Sequence, residues 1–249
     1  MAESLLVARG ITRRFGGLVA VNAVSLALER GSVHAVIGTN GAGKSTLINI
    51  LSGEIAATAG SVELLGQDVT RLSQPHRALR GLGRSYQRST IFPHFTVAEN
   101  CRLAAQAVHQ RPWAIWEMAA RSPATIELAH AALQRAGLAH EADRLAGSLP
   151  HGRKRQLEIA LCLATTPRVL LLDEPLAGMG AEETERMLAL LAQLKADHAT
   201  LLVEHDMDAV FRIADRITVL VNGVALASDT PQKVRANPEV QRAYLGEGH

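Results

Sequence analysis

Short apolar runs separated by glycine and polar residues fill the first third of the chain. Leu5-Leu6-Val7-Ala8 is one such run, and Val24-Ser25-Leu26-Ala27-Leu28 alternates as a half-buried strand does. Val33 to Ile37 is unbroken and reads as a buried strand, and Leu47-Ile48-Asn49-Ile50-Leu51 reads as the helix after it. Ser61-Val62-Glu63-Leu64-Leu65 alternates less regularly and stops at Gly66, a turn signal. From about residue 96 to 146 the period becomes helical, as in Ile126 to Leu133, with Gly137 and Gly147 as punctuation. Beyond about residue 156, apolar strands alternate with amphipathic helices. Val169 to Leu172 and Leu201 to Val203 suit a central parallel sheet, and Glu182 to Lys195 predicts a helix with Met187, Leu188, Leu190, Leu191 and Leu194 facing inward. Ile217 to Val221 and Val224 to Ala227 flank Asn222-Gly223, a hairpin signal. The pattern predicts an α/β core interrupted by an inserted helical subdomain, with no internal repeat.

One loop in this pattern carries chemistry. Gly38-Thr39-Asn40-Gly41-Ala42-Gly43-Lys44-Ser45-Thr46 fits G-x-x-x-x-G-K-[ST] and lies between a predicted strand and a predicted helix, as a phosphate-binding loop must. Its glycines let the backbone turn around an anion and present N–H groups, and the following helix adds the positive end of its dipole. Lys44 is placed to reach β- and γ-phosphates, and Ser45 to ligate magnesium. Downstream, the Val169 to Leu172 strand ends in Asp173-Glu174-Pro175. A carboxylate at that strand end suits magnesium, which falls to Asp173, and leaves Glu174 to orient and deprotonate a water.

Composition narrows the reading. With 249 residues, the chain makes one large domain or a core with a smaller subdomain. Hydrophobic residues are 47% but aromatics only 3%, so the core must be built from Leu, Val, Ile and Ala. A net charge of +2, without basic clusters interleaved with aromatics, argues against nucleic acid. Cys101 and Cys162 are far apart and fit no metal spacing, which makes buried free thiols in a reducing compartment the expectation. Met1-Ala2-Glu3-Ser4 lacks a signal-peptide pattern, and no apolar run is long enough to span a bilayer. The expectation is a cytoplasmic protein whose membrane role comes through a partner.

With these motifs in hand, the chain resembles, over essentially its whole length, the ATP-binding subunits of ABC transporters. The resemblance implies a P-loop NTPase (RecA-like) α/β core with an antiparallel β subdomain. It also implies a division into residues 1–90 and 160–249 as nucleotide-binding core and 91–159 as helical signature subdomain. Phe15, after Arg13-Arg14, matches the aromatic that stacks on adenine. Gln87 matches the glutamine that joins core to helical subdomain and senses magnesium and γ-phosphate, and His205 matches the histidine that contacts the γ-phosphate. The signature that caps the opposite subunit's ATP corresponds to Leu149-Pro150-His151-Gly152-Arg153, before a helix expected to begin near Lys154. Here the chain departs from the family. Gly152 is kept, but Pro150 replaces serine and removes both a hydroxyl and an N–H, and Arg153 stands where glutamine is usual. Arg153-Lys154-Arg155 reads either as a solvated helix face or as charge that partly replaces the lost donors. Gly180 stands where many relatives carry Asp.

Finer details resemble the subunits of importers for branched-chain amino acids and related amides. They are Gly178-Met179 after Glu174-Pro175, the Glu204-His205-Asp206-Met207 segment, and an Asn237-Pro238-Glu239-Val240 … Ala243-Tyr244-Leu245-Gly246 ending. The resemblance implies ATP and Mg2+ as cofactors and a location on the inner face of the cell membrane. The implied partners are permease subunits, a second ATPase subunit and, indirectly, a periplasmic solute-binding protein. The intact Lys44, Ser45, Asp173, Glu174 and His205 beside an altered signature make a second ATPase subunit of different sequence the expectation. Trp113 and Trp116 read either as core of the helical subdomain or as a docking surface for the permease. The alternatives are the ATPase of a lipopolysaccharide-type exporter, a soluble non-transport ABC ATPase, and a phosphoryl-transfer kinase.

Overall fold

The computed structural model describes residues 3–87, 90–109 and 122–245. Strands β1 (Ser4–Phe15) and β2 (Leu18–Glu29) form a long antiparallel pair. Both outrun the apolar stretches that announce them, because register shifts between Ala8 and Ile11, with Gly10 at φ 58°, let the ladder continue past the break in pattern. β3 (Ser32–Gly38) leads into α1 (Lys44–Ser52). β4 (Ala59–Leu64) pairs with β1, and the short β5 (Gln67–Asp68) completes an antiparallel sheet in the order β2-β1-β4-β5. The strand expected to reach Leu65 stops at Leu64, since Leu65 turns with φ 51°.

The second sheet is mixed. β6 (Leu82–Arg84), β7 (Val169–Asp173), β8 (Ala199–Val203) and β9 (Arg216–Val221) run parallel with β3, and β10 (Val224–Asp229) returns antiparallel to β9. The order is β10-β9-β3-β8-β7-β6. Asn222 (φ 48°) and Gly223 (φ 79°) make the predicted hairpin turn, both in the left-handed region that a type I′ turn requires. Every residue of β7 and β8 is buried, which is why their sequences are apolar without alternation.

Helices α2 (Gln74–Ala78), α3 (Val97–His109), α4 (Pro123–Arg135) and α5 (His151–Ala164) lie between β5 and β7 in the chain, and α3, α4 and α5 pack on one another. α5 starts three residues before the expected Lys154. Pro150 is its N-cap (φ −58°, ψ 160°), a position where a missing N–H and a fixed φ are tolerated. α6 (Ala181–Lys195) buries Met187, Leu188, Leu190, Leu191 and Leu194 as predicted, each contributing roughly 1.5–3 kcal/mol relative to exposure. α7 (Met207–Ile213), α8 (Pro231–Ala236) and α9 (Pro238–Leu245) close the chain. Among the described residues the buried hydrophobic set contains no aromatic, matching the composition, and Cys101 and Cys162 are free and buried. Burial pushes both thiols up to about 12. Trp113, Trp116 and Gly246 lie outside the described residues.

Parallel pairing of β3, β8 and β7 brings their carboxyl ends to one edge of the sheet, where open α/β sheets place ligands.

Candidate functional site

The loop leaving β3 is fixed by close backbone packing. A Cβ on Gly38 would lie 2.4 Å from Leu220 O, and one on Gly43 would lie 2.4 Å from Ala20 O. Gly43 also has φ 100° and serves as the N-cap of α1 without any side-chain hydrogen bond. These two glycines therefore let the loop press against β9 and β2 as well as turn around an anion. Lys44 is folded back into the loop, its Nζ donating to Gly38 O at 2.6 Å and Thr39 O at 3.0 Å. Burial lowers the Lys44 ammonium from its ordinary pKa, opposed by the carboxylates of Glu174 and Asp173. A buried cation whose hydrogen bonds go to carbonyl oxygens is poised for a stronger anionic partner.

A cleft of about 670 Å³ runs along this loop. It is lined by residues 40–46, Phe15, Gln87 and Glu174 among others, segments that are far apart in sequence. Phe15 is 45% exposed, and the Arg13 guanidinium sits 4.5 Å from its ring centroid. Gln87 donates from Nε2 to Glu174 Oε2 at 3.0 Å. Glu174 itself turns with φ 49°, and its N–H donates to Val203 O at 2.9 Å. Asp173, one residue earlier, is buried at the end of β7, and its N–H donates to Ser85 Oγ at 3.3 Å. Burial raises the Asp173 carboxyl above the ordinary carboxylate range, while Arg84, 4.0 Å away, pulls it down.

His205 follows β8 and is not among the residues that line the cleft; its side chain is 63% exposed. Its N–H donates to Glu204 Oε2 at 3.1 Å.

The signature segment is also outside that lining. Leu149 is buried, Pro150 and His151 are exposed, and His151 donates from Nε2 to Ala177 O at 3.2 Å. Gly152 is buried against α6, and a Cβ there would lie 2.4 Å from Glu183 Oε1, the end of a flexible side chain that would have to shift. Two of the three following cations are not a solvated face. Arg153 pairs with Glu141 at 3.3 Å and bonds Gln156, whereas Arg155 pairs with Glu158 at 3.0 Å and donates to the carbonyls of Tyr86 and Gln87. Gly180 caps α6, its N–H donating to Glu183 Oε2 at 3.4 Å.

Three polar residues of this region carry no sequence signal. Arg84 donates to Asn49, Ser52 and Glu54 near the end of α1 and stacks on Tyr86, whereas Arg77 is buried and donates to the last carbonyls of α1 at Ile50 and Leu51. Arg155 joins the signature helix to the backbone of Gln87. Arg77 and Arg84 are isolated arginines in polar stretches and Arg155 closes a run of three cations, patterns that most often mark solvated side chains.

Residues 21–177 match the model of the family described as ABC transporter, and residues 226–249 match one described as Branched-chain amino acid ATP-binding cassette transporter. The chain is 41% identical to the high-affinity branched-chain amino acid transport ATP-binding protein BraF of Pseudomonas aeruginosa, over 99% of this chain and 100% of that one. It is 40% identical to LivG of Salmonella typhimurium, a protein of the same description, with the same coverage. Its fold superposes on the crystal structure of a nucleotide-free ATP-binding cassette from an ABC transporter with a TM-score of 0.88 at 29% identity, covering 98% of this chain and 100% of the other. Matched by the family model over residues 21–177 and by a relative along nearly its whole length, the chain belongs to the family of ATP-binding proteins of ABC transporters.

Proposed function

We propose that this subunit binds ATP in the cleft beside Lys44 and hydrolyses it to drive import of branched-chain amino acids or related amides. The observation that carries the nucleotide half is the convergence of the phosphate loop, Phe15, Gln87 and Glu174 on one cleft. The carbonyl-bound Lys44 exchanges Gly38 and Thr39 for the β- and γ-phosphates, and the loop N–H groups with the N-terminus of α1 hold the remaining charge. Ser45, Asp173 and Gln87 offer a hydroxyl, a carboxylate and an amide oxygen, the hard donors that Mg2+ takes alongside phosphates. Bound there, the ion would neutralise phosphate charge. No group of three or more His, Cys, Asp or Glu among the described residues forms a metal cage, in keeping with an ion held largely by its nucleotide. Glu174, released from Gln87, orients and deprotonates the attacking water, and His205 contacts the γ-phosphate.

The cleft lacks its cap. Leu149, Pro150, His151, Gly152 and Arg153 do not line it, which suits a segment that covers the ATP of another subunit. The partners in this reading are a second, different ATPase subunit, two membrane permeases and a solute-binding protein outside the membrane. Among the described residues no helix is long and apolar enough to cross a membrane, so contact with the bilayer comes through the permeases, with the chain on the inner face. The choice of solute rests on the full-length likeness to BraF and LivG and on the 226–249 match.

The test is uptake of labelled leucine, isoleucine and valine, and of a short amide, by cells lacking this chain. Uptake of one of these classes falls and returns with the intact chain but not with Lys44→Ala. Unchanged uptake of all of them rejects the solute assignment, and rescue by Lys44→Ala rejects the role of the loop.

A further inference from the structure

The side chain of Glu204, immediately before His205, has no exposure to solvent. A buried carboxylate is destabilising by several kcal/mol unless hydrogen bonds satisfy it. Glu204 satisfies both oxygens with backbone donors. The N–H of Leu176 reaches Oε1 at 2.8 Å, and the N–H of His205 reaches Oε2 at 3.1 Å. Leu176 lies two residues beyond Glu174, in the loop leaving β7, whereas His205 leaves β8. One side chain thus ties together the two strand exits that carry the proposed water-activating carboxylate and the proposed phosphate-contacting imidazole. The main-chain bond from Glu174 N–H to Val203 O adds a second tie at the same place. The imidazole is itself close, with Nδ1 3.7 Å from Oε2, just beyond hydrogen-bond distance. Burial raises the Glu204 carboxyl, and its two backbone bonds act against that rise. With no exposure to solvent, the Glu204 side chain does not itself reach the cleft, so substrate binding does not account for it.

We propose that Glu204 is a positioning residue for hydrolysis, gripping the backbones of Leu176 and His205 so that the imidazole and the Glu174 loop hold one register. Nδ1 of His205 is turned to the carboxylate, which leaves Nε2 on the far side of the ring for the γ-phosphate. This rests on the reading of His205 given above, and the test separates the two. ATP turnover is measured against ATP concentration in the assembled transporter for the wild type, Glu204→Gln, His205→Ala and the double variant. Affinity for a fluorescent ATP analogue and the urea midpoint are measured on the full chain. Glu204→Gln is expected to lower kcat about tenfold, with KM and analogue affinity within about twofold. Added to His205→Ala it is expected to cost less than about twofold more, because the two act as one unit. Multiplicative losses, or a changed KM with kcat intact, overturn the proposal. Full turnover in Glu204→Gln alongside a loss in His205→Ala overturns it alone, whereas full turnover in His205→Ala rejects the histidine reading as well. Where Glu204→Gln lowers the urea midpoint too far to assay, Glu204→Asp keeps the charge with a shorter reach and is read by the same criteria.

Discussion

Helices α1 and α5 both begin without a side-chain cap hydrogen bond, and they present their first turns very differently. α1 starts at Gly43, wrapped by a loop whose glycines press on β2 and β9 and whose lysine lies coiled inside it. α5 starts at Pro150, and the arginines of its first turns pair with Glu141 and Glu158 and bond to loop carbonyls. Both ends offer N–H groups and a dipole to an anion. α1 adds a cation held inside the loop at its very start, whereas two of the three cations at the start of α5 are engaged in ion pairs. A preorganised cation in a dry, dipole-lined site contributes far more to charge stabilisation than exposed N–H groups alone. The comparison supports an unequal pair: the α1 end would work at full rate when a standard signature caps it, while the ATP capped by Pro150 would turn over slowly.

The largest expected effect breaks the strong end. In the assembled transporter, Lys44→Ala or Glu174→Gln lowers total ATP turnover about 100-fold or more. Under the unequal-pair proposal, replacing the matching lysine of the partner ATPase is expected to cost far less, because Pro150 would cap that site. Equal losses from the two lysine variants would falsify the unequal pair. Gly43→Ala is expected to behave like Lys44→Ala with the addition of weakened analogue binding, since its Cβ has no room against Ala20 O.

The strong end was legible in the sequence because it is contiguous: one motif, a strand before it and a helix after it. Asp173 and Glu174 were legible for the same reason, as the end of an unbroken apolar run. What could not be read are contacts between distant segments. Gln87 meeting Glu174, Arg155 meeting the Gln87 carbonyl, and Glu204 meeting Leu176 each depend on which strands lie side by side, and single polar residues have no period to betray them. The start of α5 was misplaced for a related reason. Pro150-His151-Gly152-Arg153 has no apolar spacing, and the helix there is set by the packing of Leu149 and Gly152.

A stability marker away from both helix starts separates loss of function from loss of fold. His34 is near the other end of β3 and is buried, donating from Nδ1 to Ala27 O at 3.1 Å and accepting at Nε2 from Thr218 Oγ1 at 2.8 Å. Burial lowers it from the usual 6.5 to about 4. The unfolded chain therefore takes up this proton first as pH falls. The contribution is fully present above about pH 6.5 and is lost as pH drops toward 4, by about 3 kcal/mol in all. Urea unfolding across this range is expected to show the slope, and His34→Asn is expected to flatten it whatever its stability at neutral pH. An unchanged slope in that variant assigns the acid sensitivity elsewhere. Turnover assays near pH 7.5 sit on the plateau, so losses there report on the helix ends.

The smallest expected effect repairs the weak end. Pro150→Ser restores an N–H and a hydroxyl at the N-cap of α5 without touching the Arg153 or Arg155 pairs. Two opposing changes in stability accompany it. The serine caps the first turn, stabilising by about 1 kcal/mol, and losing proline frees the unfolded chain, destabilising by about 0.4–1 kcal/mol. The urea midpoint should therefore barely move, and turnover becomes the clean readout. In a Lys44→Ala background, the transporter's residual turnover under the unequal-pair proposal comes from the ATP that Pro150 would cap. One restored hydrogen bond to charged phosphate is worth about 1.5 kcal/mol, or roughly tenfold. A rise of that order in the residual rate, with the midpoint unchanged, locates the weakness in the missing donors of residue 150. A rate that stays flat with the serine in place moves the cause to Arg153, whose pairing with Glu141 would then be what keeps this helix end from gripping phosphate.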